Sequence, residues 1–152
     1  KIFAFEPSKE NICYLEQTQK LNSNIHVIGK GLGDKSGIYQ FSNNLDNSLI
    51  YQITQEKIDS EQIEVTTIDE FVRENNIEHI DFIKADIEGF ERYMLMGAKE
   101  TLRKFAPKLA ICTYHLPDDP GVLAKIILDA NPNYIIVQKR KKLYAQVPFN
   151  QL

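Results

Sequence analysis

Two rhythms of apolar residues alternate along this chain. Short apolar runs of strand character stand at 1–5 ("KIFAF"), 25–32 ("IHVIGKGL"), 80–86 ("IDFIKAD") and 108–114 ("KLAICTY"). Between them lie stretches with helical spacing. Ile12, Leu15 and Leu21 mark one face of a helix that Ser8 is suited to cap. Phe90, Met94, Ala98, Leu102 and Phe105 form a longer stripe and predict one helix over 90–105. Gly97 stands in the middle of it and costs about 1 kcal/mol against alanine, so close packing on the sheet is expected there. Residues 118–132 read as a helix with an acidic start and a proline stop. Strands apolar on both faces, alternating with helices, predict an α/β fold with a doubly wound, mostly parallel sheet.

The remaining segments fill in around that sheet. "IYQFS" (38–42) alternates like a half-buried strand, and "IEVTTI" (63–68) has strand composition. "DEFVRENN" (69–76) predicts a short helix with acids in its first turn. Residues 43–61 are rich in Asn, Gln and Ser and predict a loop. "YIIVQKRKKLYAQV" (134–147) reads as two strands joined by a basic turn, an antiparallel hairpin closing the sheet. No repeat or linker interrupts the pattern, so residues 1–152 are read as a single domain.

Composition narrows the function classes. Of 152 residues, 43% are hydrophobic and 26% charged, which is ordinary for a globular protein and far from disordered compositions. A formal charge of −3 provides no basic field for nucleic acid. No apolar stretch approaches the roughly 18–20 residues of a membrane span, and the first residues do not resemble a signal peptide. Cys13 and Cys112 lie far apart in a helix and a strand, which suggests neither a disulfide framework nor a metal site. A cytoplasmic location is the corresponding expectation. The chain opens directly on a strand and is read as a piece of something longer.

In doubly wound sheets, ligands bind beyond the carboxyl ends of the parallel strands. Here those ends carry Glu6, then Gly31-Leu32, then Asp86-Ile87-Glu88-Gly89, then Tyr114-His115. A carboxylate at the end of a strand can accept both hydroxyls of a ribose, and Glu6 suits that role; the alternative is an acid supporting the next helix's N-terminus. Asp86, Glu88 and Glu91 crowd one strand–helix junction. Capping explains one such acid well and three poorly. Two carboxylates there can orient a hydroxyl, accept its proton, or hold a divalent ion with help from a substrate. His115 is a candidate general base or a polar strand end, while His26 and His79 are read as structural. The spacing fits no calcium loop, and no metal ligand set is assigned. "GKGLGDKSG" misses the dinucleotide pattern, because Ser36 stands where the third glycine belongs and a strand follows. It predicts a hairpin turn around Asp34, Lys35, Ser36 and Gly37. "KRKK" (139–142) is either a solvated turn or a basic lip for an anionic substrate.

Taken together and in order, "FAFEPSKEN", "GDKSG", "TTIDEFV", "IDFIKADIEGFERYMLMGAKETL" and "PKLAICTYH" resemble the FkbM-type methyltransferases over nearly the whole chain. The block IDFIK-x-D-x-EG-x-E with its downstream "GA" carries most of that likeness. The segment 114–134 is similar to one bacterial branch of the family. The resemblance implies a Rossmann-like fold and S-adenosylmethionine as cofactor. It also implies methylation of a hydroxyl on a sugar, glycan or natural product. Glu6, Gly31, Leu32 and Asp86 would then contact the cofactor, and Asp86, Glu88 and His115 would face the reacting hydroxyl. Such enzymes open on a strand with a glycine-rich loop for the methionine end of the cofactor, and this sequence has none. That first strand would lie between the strands ending at Glu6 and Asp86. Its absence predicts that those two strands pair directly, that another chain fills the gap, or that an N-terminal part is lost, with weak cofactor binding and weak or no activity. A non-catalytic binding or assembly module is the alternative reading, homo-oligomers are compatible with either, and a nicotinamide-dependent enzyme is disfavoured by the missing dinucleotide loop.

Overall fold

Ile2–Phe5 (β1) and Ile25–Ile28 (β2) lie parallel, joined by helix Lys9–Leu21 (α1), the crossover that a parallel pair requires. The computed structural model describes residues 1–42, 49–51 and 61–148. A second sheet runs Phe82–Ala85 (β7), Lys108–Cys112 (β8), Lys142–Gln146 (β10) and Ile135–Lys139 (β9), in that order across it. β7 and β8 are parallel, and β10 runs antiparallel to both of its neighbours. Glu91–Met96 (α3), Lys99–Phe105 (α4) and Asp119–Ala130 (α5) accompany this sheet. Their apolar faces meet in the main core, where Leu95, Leu102, Ile111, Leu123 and Ile127 are fully buried. Each such side chain contributes about 1.5–3 kcal/mol relative to exposure. The hairpin expected over 134–147 is present as β9–β10.

The third sheet departs from expectation. Gly31–Leu32 (β3) pairs in parallel with Glu61–Thr66 (β6), and Gly37–Ser42 (β4) pairs antiparallel with β6 on its other edge. Residues 25–32 are therefore two strands in different sheets. The segment Asp34–Gly37 is no hairpin turn, because β6 stands between β3 and β4. Leu49–Tyr51 (β5), inside the expected loop 43–61, extends the sheet beside β4. Residues 43–48 and 52–60 of that loop lie outside the described residues, and Glu61 opens β6. Tyr39, Ile63 and Val65 form a small core of their own, against which Phe90 packs.

Among the described residues a single doubly wound, mostly parallel sheet is not observed: the strands divide among three sheets, one a parallel pair and two mixed. Among the described residues β1 pairs only with β2, and β7 only with β8. Direct pairing of β1 with β7 is thus not observed, and each keeps one hydrogen-bonding edge open. Both strands are also less buried than their composition implied, with Phe82 57% exposed. Ile68–Glu74 (α2) connects the parts. Its Ile68 joins the main core, while Phe71 meets the rings of Phe3 and Phe5 edge-on at centroid distances of 5.2 and 4.8 Å.

The helix expected over 90–105 is broken in two at Gly97 and Ala98. A Cβ on Gly97 would stand 2.1 Å from the carbonyl oxygen of Gly33 and 3.0 Å from the Cβ of Thr67. Close packing at this glycine is thus present, but against the β3–β4 connection. The main chain turns there to let two backbones touch. Asp69 of α2 caps the second piece, its carboxylate accepting the N–H groups of Glu100 (3.0 Å) and Thr101 (2.8 Å).

Candidate active site

β7 delivers its last residues into a tight turn before α3. Glu88 and Gly89 both adopt positive φ, 53° and 91°. A left-handed glutamate is uncommon and costs of order 1 kcal/mol, which local structure must hold in place. The turn brings Asp86, Glu88 and Glu91 to the carboxyl end of β7, beside the residues that follow β8. His115 reaches into this cluster with its side chain only 9% exposed. Its Nδ1 lies 3.0 Å from Glu91 Oε1, and its Nε2 lies 3.4 Å from Glu88 Oε2 and 3.7 Å from Asp86 Oδ1. One imidazole is thus surrounded by three carboxylates.

Neighbouring residues fix this geometry. Glu91 is fully buried, and its Oε1 accepts the Ile87 N–H at 2.9 Å, tying the first helical residue back to the turn. Tyr114 donates its hydroxyl to Asp86 Oδ1 at 2.8 Å and stacks against the His115 ring at a centroid distance of 4.1 Å. Arg92 binds Asp118 at 2.8 Å and the buried Asp119 at 2.7 Å, joining α3 to α5. Asp119 in turn accepts the Leu116 N–H at 2.9 Å, which anchors the segment carrying His115. The basic hairpin borders the site: Lys141 Nζ sits 5.0 Å from the centre of the Tyr114 ring.

Burial and hydrogen bonding act in opposite directions on Asp86. Desolvation pushes the Asp86 carboxyl up, but hydrogen bonds from Tyr114 and Cys112 and the charge of Lys84 outweigh it, leaving the group below the usual carboxylate range. The same hydrogen bond pushes the Tyr114 phenol up to about 12. Burial, reinforced by Asp86, pushes the Cys112 thiol up to about 11. Three buried polar atoms in the cluster have no hydrogen-bond partner among the described residues: Glu91 Oε2 and both ring nitrogens of His115.

Asp86, Glu88 and His115, singled out by sequence, come together. Glu6 ends β1, and its Oε1 accepts the Ser8 N–H at 2.8 Å, the helix-supporting contact weighed as its alternative role. Gly31 and Leu32 form β3, opposite Val65 and Thr66. No hydrogen bond or ion pair joins Glu6, Gly31 or Leu32 to Asp86 among the described residues. The sequence places Glu91 among the acids of this junction and Tyr114 at a strand end but gives neither a role, and the Arg92–Asp119 pair is not legible in it at all. A glutamate at a helix start reads as a cap, and only its burial against His115 sets Glu91 apart. His79, read as structural, meets Asp81 at 3.1 Å on the surface. A groove between α2 and α4, lined by Asp69, Arg73, Asn76 and Phe105, holds no histidine among acids.

Comparison with known proteins agrees with this architecture. A family profile described as the methyltransferase FkbM domain matches residues 1–143. The crystal structure of methyltransferase FkbM from Methylobacillus flagellatus KT is 26% identical, with a TM-score of 0.73. That match covers 95% of this chain but 36% of the other, so this chain spans about a third of that protein's length. No curated protein matches.

Proposed function

Because the chain belongs to the FkbM methyltransferase family, we propose that its acid–imidazole cluster serves O-methylation of a hydroxyl on a sugar, glycan or natural product. The observation that carries this reading is the buried His115 ring held among Glu91, Glu88 and Asp86 where adjacent parallel strands end. Ligands of such sheets bind at that end. A cytoplasmic setting, consistent with the two free cysteines, belongs to the same reading.

Bound S-adenosylmethionine supplies an electrophilic methyl group on a sulfonium sulfur, which leaves as a neutral thioether. The chain's own groups hold the acceptor and receive its proton. Asp86 or Glu88 accepts the hydroxyl's hydrogen bond and fixes its oxygen. As the new O–C bond forms, the O–H proton passes to the Glu88–His115 pair. Glu91 beside Nδ1 orients the ring, and proton acceptance of this kind is worth about 10²–10⁴ in rate. The residues also fit part of the cofactor. Glu6 spends one oxygen on Ser8, while its other takes no hydrogen bond among the described residues and suits a ribose hydroxyl. Gly31 and Leu32 would lie beside the adenine, with Asp86 at the methyl-bearing end. For the methionine end this sequence has no glycine-rich cradle. Calorimetry on the 152-residue chain should therefore show cofactor binding no tighter than about 1 mM.

Methyl transfer by the full product of the encoding gene, assayed on a panel of glycosides and alcohols, tests the reading. Asp86→Asn and His115→Asn should each reduce turnover by about 10²-fold or more. Unchanged turnover in both would reduce the acids of this junction to helix caps.

A further inference from the structure

We propose that Asp86, Glu91 and His115 form a binding site for a divalent cation of the manganese or zinc class. One donor atom from each of the three can be chosen so that all lie within 4.8 Å of one another. Ligand atoms bonded at about 2.0–2.2 Å to one ion lie no more than about 4.4 Å apart, so small side-chain rotations complete the set.

The unsatisfied atoms point the same way. Glu91 Oε2 and both His115 ring nitrogens are buried without hydrogen-bond partners, although Glu91 is 0% and the His115 side chain only 9% exposed. Their 3.0 Å approach lacks hydrogen-bond geometry, so neither group satisfies the other. Three carboxylates also converge on the one imidazole without a lysine or arginine to pair them. Among the described residues no lysine or arginine forms an ion pair with Asp86, Glu88 or Glu91. The Arg92 guanidinium, next in sequence to Glu91, is engaged by Asp118 and Asp119. A cation among these donors neutralises the acids and satisfies the orphaned atoms together.

Donor chemistry selects the ion. Imidazole with carboxylates favours Mn2+, Fe2+ or Zn2+ over the all-oxygen coordination of Ca2+ or Mg2+. A metal-binding histidine donates its other ring N–H to a carboxylate. Glu88, outside the ligand set, stands 3.4 Å from Nε2 and suits that role. Asp86 and Glu88 remain partly exposed, at 33% and 51%. The ion would thus have an open side for water or a substrate oxygen. The site rests on geometry alone. Within the methyl-transfer reading it would hold the acceptor oxygen and leave Glu88 to take the proton.

The test is binding of the metal alone. The chain, freed of metal by chelator dialysis, is titrated with Mn2+ by electron paramagnetic resonance and with Zn2+ by calorimetry. One equivalent should bind, and Asp86→Asn and His115→Asn should each weaken binding by more than about tenfold. Glu91→Gln should do the same where circular dichroism shows an unchanged fold. The partly exposed Asp86 keeps the test decisive if the buried variant fails to fold. Absence of saturable binding of either ion, or binding that both substitutions leave unaltered, overturns the proposal and makes His115 an internal counter-ion. Since the readout is binding, loss of methyl transfer would count against the enzymatic reading without touching this one.

Discussion

Gly97 and Gly33 meet backbone to backbone, and a Cβ on Gly97 would lie 2.1 Å from the Gly33 carbonyl oxygen. Neither partner has a flexible side chain to move aside. Gly97→Ala should therefore displace the start of α4 from the β3–β4 connection. The expected loss is about 3 kcal/mol, toward the upper end of overpacking effects, or a fall in Tm on the order of 10 °C. Differential scanning calorimetry checks it, and a variant as stable as the parent would show that the two segments do not touch in solution.

Asp69 caps a helix that is not its own. α4 has no capping side chain at Ala98, and the Asp69 carboxylate accepts two of its first N–H groups. Asp69→Ala should cost about 1–2 kcal/mol in urea unfolding, with the slope unchanged. An effect below about 0.3 kcal/mol would mean that water replaces the cap without loss.

Arg92 is the only basic group paired with the buried carboxylate of Asp119 among the described residues. Arg92→Met leaves that charge buried and should destabilise by about 3–5 kcal/mol. Adding Asp119→Asn should recover part of the loss, which a double-mutant cycle measures directly. Because the pair anchors the segment bearing His115, the same substitution in the full gene product should, on the proposed function, also lower methyl transfer.

Cysteine reactivity should separate by site and by pH. Cys13 is exposed, whereas Cys112 is buried with its thiol pushed up to about 11. Only the thiolate reacts, so at pH 8 about one Cys112 thiol in a thousand is reactive. Alkylation of Cys112 should be slow and should rise about tenfold per pH unit towards 11. Peptide mass spectrometry after iodoacetamide treatment reads both sites. Equal rates at pH 8 would contradict the burial of Cys112.

The hydrogen bond from Tyr114 helps to hold the Asp86 carboxyl below its usual range. Tyr114→Phe should raise that pKa, as followed by carbon-13 NMR. A depressed carboxyl contributes stability that is present above its unfolded value and lost as pH falls through the folded one. The phenylalanine variant should therefore lose less stability than the parent as pH drops through the carboxylate range.

Local pattern reaches a definite distance into this molecule. The helix at 118–132 and the hairpin at 134–147 were legible because each is fixed by spacing and turn chemistry within a few residues. Asp86, Glu88 and His115 were legible because polar groups ending apolar strands of a parallel sheet are carried to a common end. Sequence by itself determined the strand character of 80–86 and 108–114, the helix and hairpin that follow them, and which acids stand at the strand ends. Only the tertiary structure decided that Gly31 pairs with Val65, that Gly97 breaks a helix against Gly33, and that Glu91 is buried against His115. Those contacts join segments whose spacing along the chain encodes nothing about their partners. Strand pairing, backbone approach and burial of a charge are properties of surfaces that exist only once the chain has folded.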